Sequence, residues 1–508
     1  MTKRFRDCNL DQMFLLPPSF HKWLPDNHLA LFIADLMDVL NLAPFYAKHK
    51  GDGRGQSAYD PGMMIRLLLY GYAVGVSSSR RIERATHDDL AFRYLAANQH
   101  PDHASIAAFR REQMPLLAEL FLQALRLCEK AGLVKLGNVA IDGTKILANA
   151  STRRSVPYEK LKEREKYWEK VIADLLAAAE QSDTQEDLCY GPGQQADPLP
   201  PDLADAQKRL EKIRQAKAQL EQEAQAELEE LQRQAPPRKR GRPRKDAQTE
   251  GQAQPSQRAK KQAQRARKKA ASPSRQHNFV DPDSRVMPDS RHKKSFVQAY
   301  NAQAAVDAHA QVIVAAEITQ QTNDRQQLVP MTQAVKKNMG QDPDAILADT
   351  GYWIGECLRN PIFQNILVLV PPDSQRSGAG KPVSDKAPNT EEAQWMRDVL
   401  ATANGQRRYG LRKTTVEPVF GQIKEWRDTR RFRLRGLELV SGEWKLICAT
   451  HNLCKLHAHR YPKPKPQARI KRMKGGTEKQ RGVQAAFCSH RRSPRRLSLH
   501  TGVFAPAD

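Results

Sequence analysis

Apolar positions recur at helical spacing early in the chain, in HLALFIADLMDVL (28–40), MMIRLLLYGYAVGV (63–76) and DHASIAAFRREQMPLLAELFLQALRLCEKAGL (102–133). The period, with an Asp near the start of the last run and a Gly stop signal at its end, predicts a mostly helical region over about 14–136. Gly, Pro and Asp turns break it into short helices that carry Arg80, Arg81, Arg84, Arg110 and Arg111. Such a region suits either a DNA-contacting helical domain or a packing domain whose arginines are merely solvated. No three-residue turn singles out a helix-turn-helix.

From Gly137 the period changes. VAID (139–142) is an apolar run that stops on an acid, inside the strand-like GNVAIDGTK. Residues 156–234 are then dominated by Glu, Lys, Arg, Gln and Ala, with a long charged helix expected from Leu203 to Gln234 after a Pro/Gly-rich gap at 189–202. PPRKRGRPRK and a Gln/Ala/Lys/Arg tract to about Arg275 lack the apolar residues needed for a core. Regular structure is expected to resume near Lys294 with a hairpin, SFVQAYNAQAAVD and AQVIVAAEIT. Asn323 and Asp324 offer an N-cap for a helix that stops on Gly340. AILAD (345–349) is the next strand, TGYWIGECLRN a short helix, NILVLVPP another strand, and Thr415 to about His457 the last helical part.

With the insert set aside, the order from 138 is strand, strand, strand, helix, strand, helix, strand, helix. That is the connectivity of a ribonuclease-H-like α/β domain, a mixed five-stranded sheet with flanking helices. Its first and fourth strands are central neighbours, so Asp142 and Asp349 would sit side by side, with Glu417 over the same edge. The expected organisation is a helical domain over 14–136, a catalytic α/β domain over 137–155 and 277–460, a charged, partly disordered insertion over 156–276, and a basic disordered tail over 461–508.

Charge adds a partner. The net charge of +25, spread over at least three regions, points to a polyanion, most simply DNA or RNA. There is no apolar run of membrane-spanning length and no hydrophobic signal peptide, and the seven scattered cysteines fit a reducing compartment. A cytoplasmic protein is expected.

Two Asp and one Glu are suitable oxygen ligands for a pair of Mg²⁺ ions, with Mn²⁺ as a substitute, about 3.5–4 Å apart and bridged by a shared carboxylate. Asp142 is the expected bridge, with Asp349 and Glu417 on either ion. Each acid alone could be an ordinary strand-end or first-turn residue. On a regular helix Lys424 falls almost on the face of Glu417 with Gly421 between, which suits a phosphate backbone laid along that face.

IDGTKILANAS, DPDSRVM, YNAQAAVD, LADTGY, VEPVFGQIKEWRDTRRFRLRG and the HNLCKL helix together resemble the DDE transposases of bacterial insertion sequences. The branch they resemble has a helical N-terminal transposase domain and a signature of Tyr, two residues, Arg, three residues, Glu, six residues, Lys. The resemblance covers about residues 20–155 and 277–457. It implies Asp142, Asp349 and Glu417 as the catalytic triad and Lys424 as the signature lysine. Tyr409 and Arg412 keep the Tyr-x-x-Arg spacing, but four residues separate Arg412 from Glu417, and Lys413 holds the three-residue spacing instead. Either cation is a candidate DNA contact.

The core RKRGRPRK resembles an AT-hook, in which Arg240 and Arg242 would enter a minor groove; a generic polybasic linker is the alternative. Arg430, Arg431, Arg433 and Arg435 form a basic cluster suited to phosphates. Cys448, His451, Cys454 and His457 wind around their helix at three-residue steps and read as core packing rather than a zinc site. His309, beside Asp307 in a turn, has no catalytic role. The expected protein is a transposase that cleaves transposon ends at their terminal inverted repeats and joins the 3′-OH to target DNA, at least as a homodimer. A stand-alone metal-dependent nuclease and a non-catalytic DNA-binding derivative are the alternatives.

Overall fold

The computed structural model describes residues 19–47, 58–190, 201–234, 276–289, 295–373 and 390–462. Seven helices come first: α1 (Leu29–Leu36), α2 (Ala43–Ala47), α3 (Pro61–Val74), α4 (Ser79–Asp88), α5 (Leu90–Leu95), α6 (His103–Glu112) and α7 (Met114–Lys130). The long amphipathic pattern of 102–133 is thus realised as two helices. Pro115 lies in the first turn of α7, where its missing N–H costs nothing, and it bars continuation from α6. Asp60, Asp89 and Asp102 cap α3, α5 and α6 by accepting backbone N–H groups.

The sheet follows. Its central strand β1 (Asn138–Leu147) precedes a small ladder of β2 (Ser155–Pro157) and β3 (Gln276–Asn278), between which α8 (Tyr158–Tyr190) and α9 (Pro201–Gln234) form a helical pair. That pair has a core of its own, including Tyr158, Leu161, Ile213 and Leu220, and ion pairs such as Arg214–Glu169 at 2.8 Å. Among the described residues, regular structure is already present at Gln276, well before Lys294, where Asn278 bonds back to Ser151 and Ser155. Strand β4 (Arg285–Pro288) was not anticipated either. It pairs with β5 (Phe296–Asp307) and gives the main sheet six strands where five were expected. Its only apolar buried position is Met287, too little alternation to signal a strand.

β5 runs antiparallel to β1 along its length, Val139 opposite Asp307 and Leu147 opposite Ala299. On the other flank of β5 lies β6 (Ile313–Thr319), beyond the span paired with β4. After α10 (Leu328–Met339), β7 (Ala345–Leu347) joins β1 in parallel, and β8 (Leu367–Leu369) joins β7 in parallel. The first and fourth core strands are therefore central neighbours, in the ribonuclease-H-like arrangement expected. The last described elements are α11 (Glu391–Ala401), α12 (Ala403–Gly421), a π-helical turn at Gln422–Trp426 and α13 (Leu437–Arg460).

Three local expectations give way. The segment 350–363 forms three short 3-10 turns rather than a helix, and the C-terminal helices begin near 391, well before Thr415. Helix α10 starts at Leu328, and no side chain caps it, because the Asp324 carboxylate accepts from Asn301 and Gln303 instead. Two amides on the adjacent strand outcompete the helix N-terminus for that acid.

The N-terminal helices share one continuous core with the sheet and α13. A buried carboxylate welds them. Glu443 on α13, 1% exposed, accepts the Tyr72 hydroxyl at 2.7 Å and the N–H groups of Arg433 and Leu434 at 2.9 and 3.0 Å. Gly75 closes α3 at φ +81°, and a side chain there would meet the Arg427 carbonyl at 3.1 Å. Among the described residues no helix is long and apolar enough to cross a membrane.

Glu443→Ala leaves one hydroxyl and two N–H groups without an acceptor in a dry core. It should cost about 3 kcal/mol, read as a shift in the urea midpoint. A loss below about 0.5 kcal/mol would contradict the weld.

Candidate active site

Strand β1 outruns its parallel neighbour. Pairing with β7 covers only Asn138–Ala140. Farther along the same flank, the Leu147 N–H donates to the Arg430 carbonyl (3.0 Å) and the Phe432 N–H to the Leu147 carbonyl (2.9 Å). Between these two contacts the flank of β1 has no strand partner among the described residues, and α12 packs there. Asp142 lies in this notch. The apolar run therefore does not end a strand at Asp142, since β1 continues to Leu147; what ends is β7, and Asp349 follows it closely.

Both aspartates have one oxygen anchored by a glycine of their own motif. The Gly143 N–H donates to Asp142 Oδ1 (2.8 Å), and the Gly351 N–H donates to Asp349 Oδ1 (2.9 Å). Burial, reinforced by the negative charge of Asp349, pushes Asp142 up to about 7 despite the opposing Arg412 guanidinium. Burial also raises Asp349, again opposed by Arg412. Arg412 comes from α12, its Nη1 3.3 Å from Asp142 Oδ2, while its Nε is buried without a hydrogen-bond partner. Tyr409, one turn earlier, is raised by burial and opposed by the same guanidinium.

The structure leaves Glu417 outside this group. It is exposed on α12, and among the described residues no three Asp, Glu, His or Cys side chains are placed to hold a metal ion. Arg412 faces the aspartates, and five residues along an α-helix turn the side chain by about 140°. Lys413 is exposed. Lys424 does reach the notch, donating from Nζ to the Lys145 carbonyl at 2.9 Å, but the π-helical turn breaks the regular phase linking it to Glu417.

The basic cluster divides. Arg431 and Arg435 are exposed, with Arg435 Nε donating to the Asn149 carbonyl at 2.9 Å. Arg430 pairs with Glu425, and Arg433 donates to Ser77 at 3.1 Å. Arg110 is buried, donating to the Ser77 carbonyl at 2.7 Å, whereas Arg80, Arg81, Arg84 and Arg111 are exposed. Arg240 and Arg242 lie outside the described residues. His451 is enclosed, with Nδ1 3.2 Å from Arg427 and Nε2 3.0 Å from the Gln311 carbonyl; burial, then Arg427, pushes it down to about 3. Its helix neighbour His457 turns elsewhere, to the Asn27 carbonyl at 2.9 Å.

Sequence reasoning missed Asp324. Its carboxylate lies near enough to raise both aspartates, after the larger effect of burial. The overlooked signal was the pair Asn301 and Gln303, two amides on one face of a strand that must find acceptors once buried.

The donor set suits a hard divalent cation. Asp142 and Asp349 are crowded carboxylates raised by burial, each with Oδ2 outside its glycine bond, and among the described residues the cation that pairs with them is Arg412, on Asp142. Raised carboxyls also make stability depend on pH. Between the ordinary value of 3.8 and about 7, folded Asp142 keeps a proton that the unfolded chain has lost. Stability therefore falls as pH rises through that window. In EDTA, the stability advantage of Asp142→Asn over wild type should grow by about 1 kcal/mol or more from about pH 5 to about pH 8, by urea denaturation. An advantage that does not change with pH would contradict the burial.

Two family models match the chain. A transposase domain, DUF772, covers residues 18–112, and a transposase DDE domain covers residues 374–457. The second contains Tyr409, Arg412, Glu417 and Lys424; Asp142 and Asp349 lie outside both. No curated protein and no solved structure matches the chain. DDE transposases bind DNA and generally use divalent metal ions. With one transposase domain before the sheet and a DDE domain over its C-terminal helices, the chain is a DDE transposase of the insertion-sequence type.

Proposed function

We propose that Asp142 and Asp349 form the fixed half of the phosphoryl-transfer site and that Glu417 completes it when α12 adjusts around DNA. The observation that carries this reading is the half-buried aspartate pair in the notch of β1, raised in pKa and countered by Arg412. The metal would be two Mg²⁺ ions, with Mn²⁺ as a substitute, held by Asp142, Asp349 and Glu417. When bound, the ions supply activation of the attacking oxygen and stabilisation of the leaving one.

The chain's own residues bind and orient the DNA. Lys424, Arg412, Tyr409 and the exposed Arg431 and Arg435 surround the notch with groups suited to phosphate oxygens, and Lys413, Arg430 and Arg433 extend the set. At a transposon end, water forms a new P–O bond and the DNA 3′-oxygen leaves with a proton. That 3′-OH then attacks a target phosphate in line, forming one P–O bond and releasing the target's own 3′-oxygen. Terminal inverted repeats mark the ends. Two ends must be joined, so a homodimer or larger assembly is proposed. In this reading residues 14–136 form the helical transposase domain, 137–155 with 277–460 the catalytic domain, and 156–276 a charged insertion.

Asp142→Asn and Asp349→Asn should each lower cleavage of a transposon-end duplex by about a thousandfold or more, while gel-shift affinity stays within about threefold in EDTA. Glu417→Gln should do the same. Cleavage that survives in either aspartate variant would remove the site assignment.

A further inference from the structure

Asp324 has no role in the reading above, yet its surroundings are built with care. It sits in the turn between β6 and α10, and its Oδ1 accepts from Asn301 Nδ2 at 2.7 Å and from Gln303 Nε2 at 2.6 Å. Cross-strand register puts Gln303 opposite Gly143 and Asn301 opposite Lys145. Gly143 provides the room. A Cβ at that position would lie 2.4 Å from Asp324 Oδ1 and 2.3 Å from Gln303 Nε2. The same Gly143 holds Asp142 Oδ1 through its N–H. Gln303 is oriented in turn by the Tyr352 hydroxyl, which donates to its Oε1, and Tyr352 belongs to the turn that follows Asp349. One acid thus joins the strand carrying Asp142 to the turn carrying Asp349.

The hydrogen bonds alone do not require a charge. Both donors are neutral amides, which a neutral acceptor would satisfy equally well. Among the described residues no Lys, Arg or His forms an ion pair with Asp324, and its negative charge raises both Asp142 and Asp349. A third anion beside two crowded ones opposes folding of the cation-free chain. It becomes favourable once a divalent cation enters, and its two amide bonds and the Gly143 gap hold it where that charge is felt.

We propose that Asp324 is an anionic positioning residue of the cation site: Asn301 and Gln303 fix its carboxylate beside Gly143, and its charge, added to those of Asp142 and Asp349, sets how tightly a divalent ion is held. This rests on the cation site proposed above. Outer partners of metal ligands commonly change metal affinity by about 10–100-fold, which gives the scale.

The test is calorimetric titration of the full chain with Mn²⁺, without DNA. Asp142→Asn should abolish binding. Asp324→Asn, which keeps the hydrogen-bond acceptor and loses the charge, should bind Mn²⁺ about tenfold more weakly without a fall in its thermal midpoint in EDTA. Asp324→Glu, which restores the charge, should bind within about threefold of wild type. Should the Asn variant fail to fold, Asp324→Ser must show the same weakening. Wild-type affinity in the neutral variants, with binding lost in Asp142→Asn, would overturn the role of Asp324 alone. Equal weakening in the Asn and Glu variants would assign it shape rather than charge and overturn it too. Unchanged binding in Asp142→Asn would remove the cation site, and this proposal with it.

Discussion

Two partly buried carboxylates held close together are the constraint around which this molecule is arranged. Charging both costs free energy, and the backbone offsets little of it: Asp142 accepts the Gly143 N–H, and Asp349 accepts the Gly351 and Tyr352 N–H groups. The remaining compensation is one guanidinium. Arg412 reaches Asp142 from a helix with a proline within it and a π-helical turn beyond it, two features that interrupt regular helical bonding.

The notch itself follows from unequal strand lengths. Had β7 continued beside β1, backbone pairing would have filled the flank at Asp142; because it stops at Leu347, a helix and a basic segment cover the gap instead. That cover is tied to the N-terminal helices through Glu443, whose carboxylate holds the backbone of Arg433 and Leu434. Arg433 in turn donates to Ser77, at the entry to α4. The DUF772 helices are thus structurally continuous with the segment that bounds the aspartate notch, which accounts for a single hydrophobic core running through both.

Much of this was legible in residue pattern. The apolar runs at 139–141 and 345–347 are buried on both faces and read as central strands, and their order alone brought Asp142 to Asp349. Helix phase was less readable. Glu417 and Lys424 share a face only on a regular helix, and the turn at 422–426 is not one. Nor could spacing choose between Arg412 and Lys413, since one residue of helix turns a side chain by about 100° and only packing says which side meets the sheet. Asp324 illustrates the harder case. Its sequence context is that of a helix cap, and its actual partners lie on a strand more than twenty residues earlier. Local propensity cannot see such competition, because it is decided by which buried amides lack acceptors.

The central claim is that the Asp142–Asp349 notch is where divalent cations meet DNA. Anomalous scattering from crystals of the full chain with a transposon-end duplex and Mn²⁺ addresses it most directly. The account predicts metal peaks within about 2.3 Å of Oδ2 of both aspartates, with Glu417 drawn into the coordination shell and Arg412 moved from Asp142 onto a phosphate. Metal peaks elsewhere in an ordered DNA complex, with Arg412 still on Asp142, would contradict it.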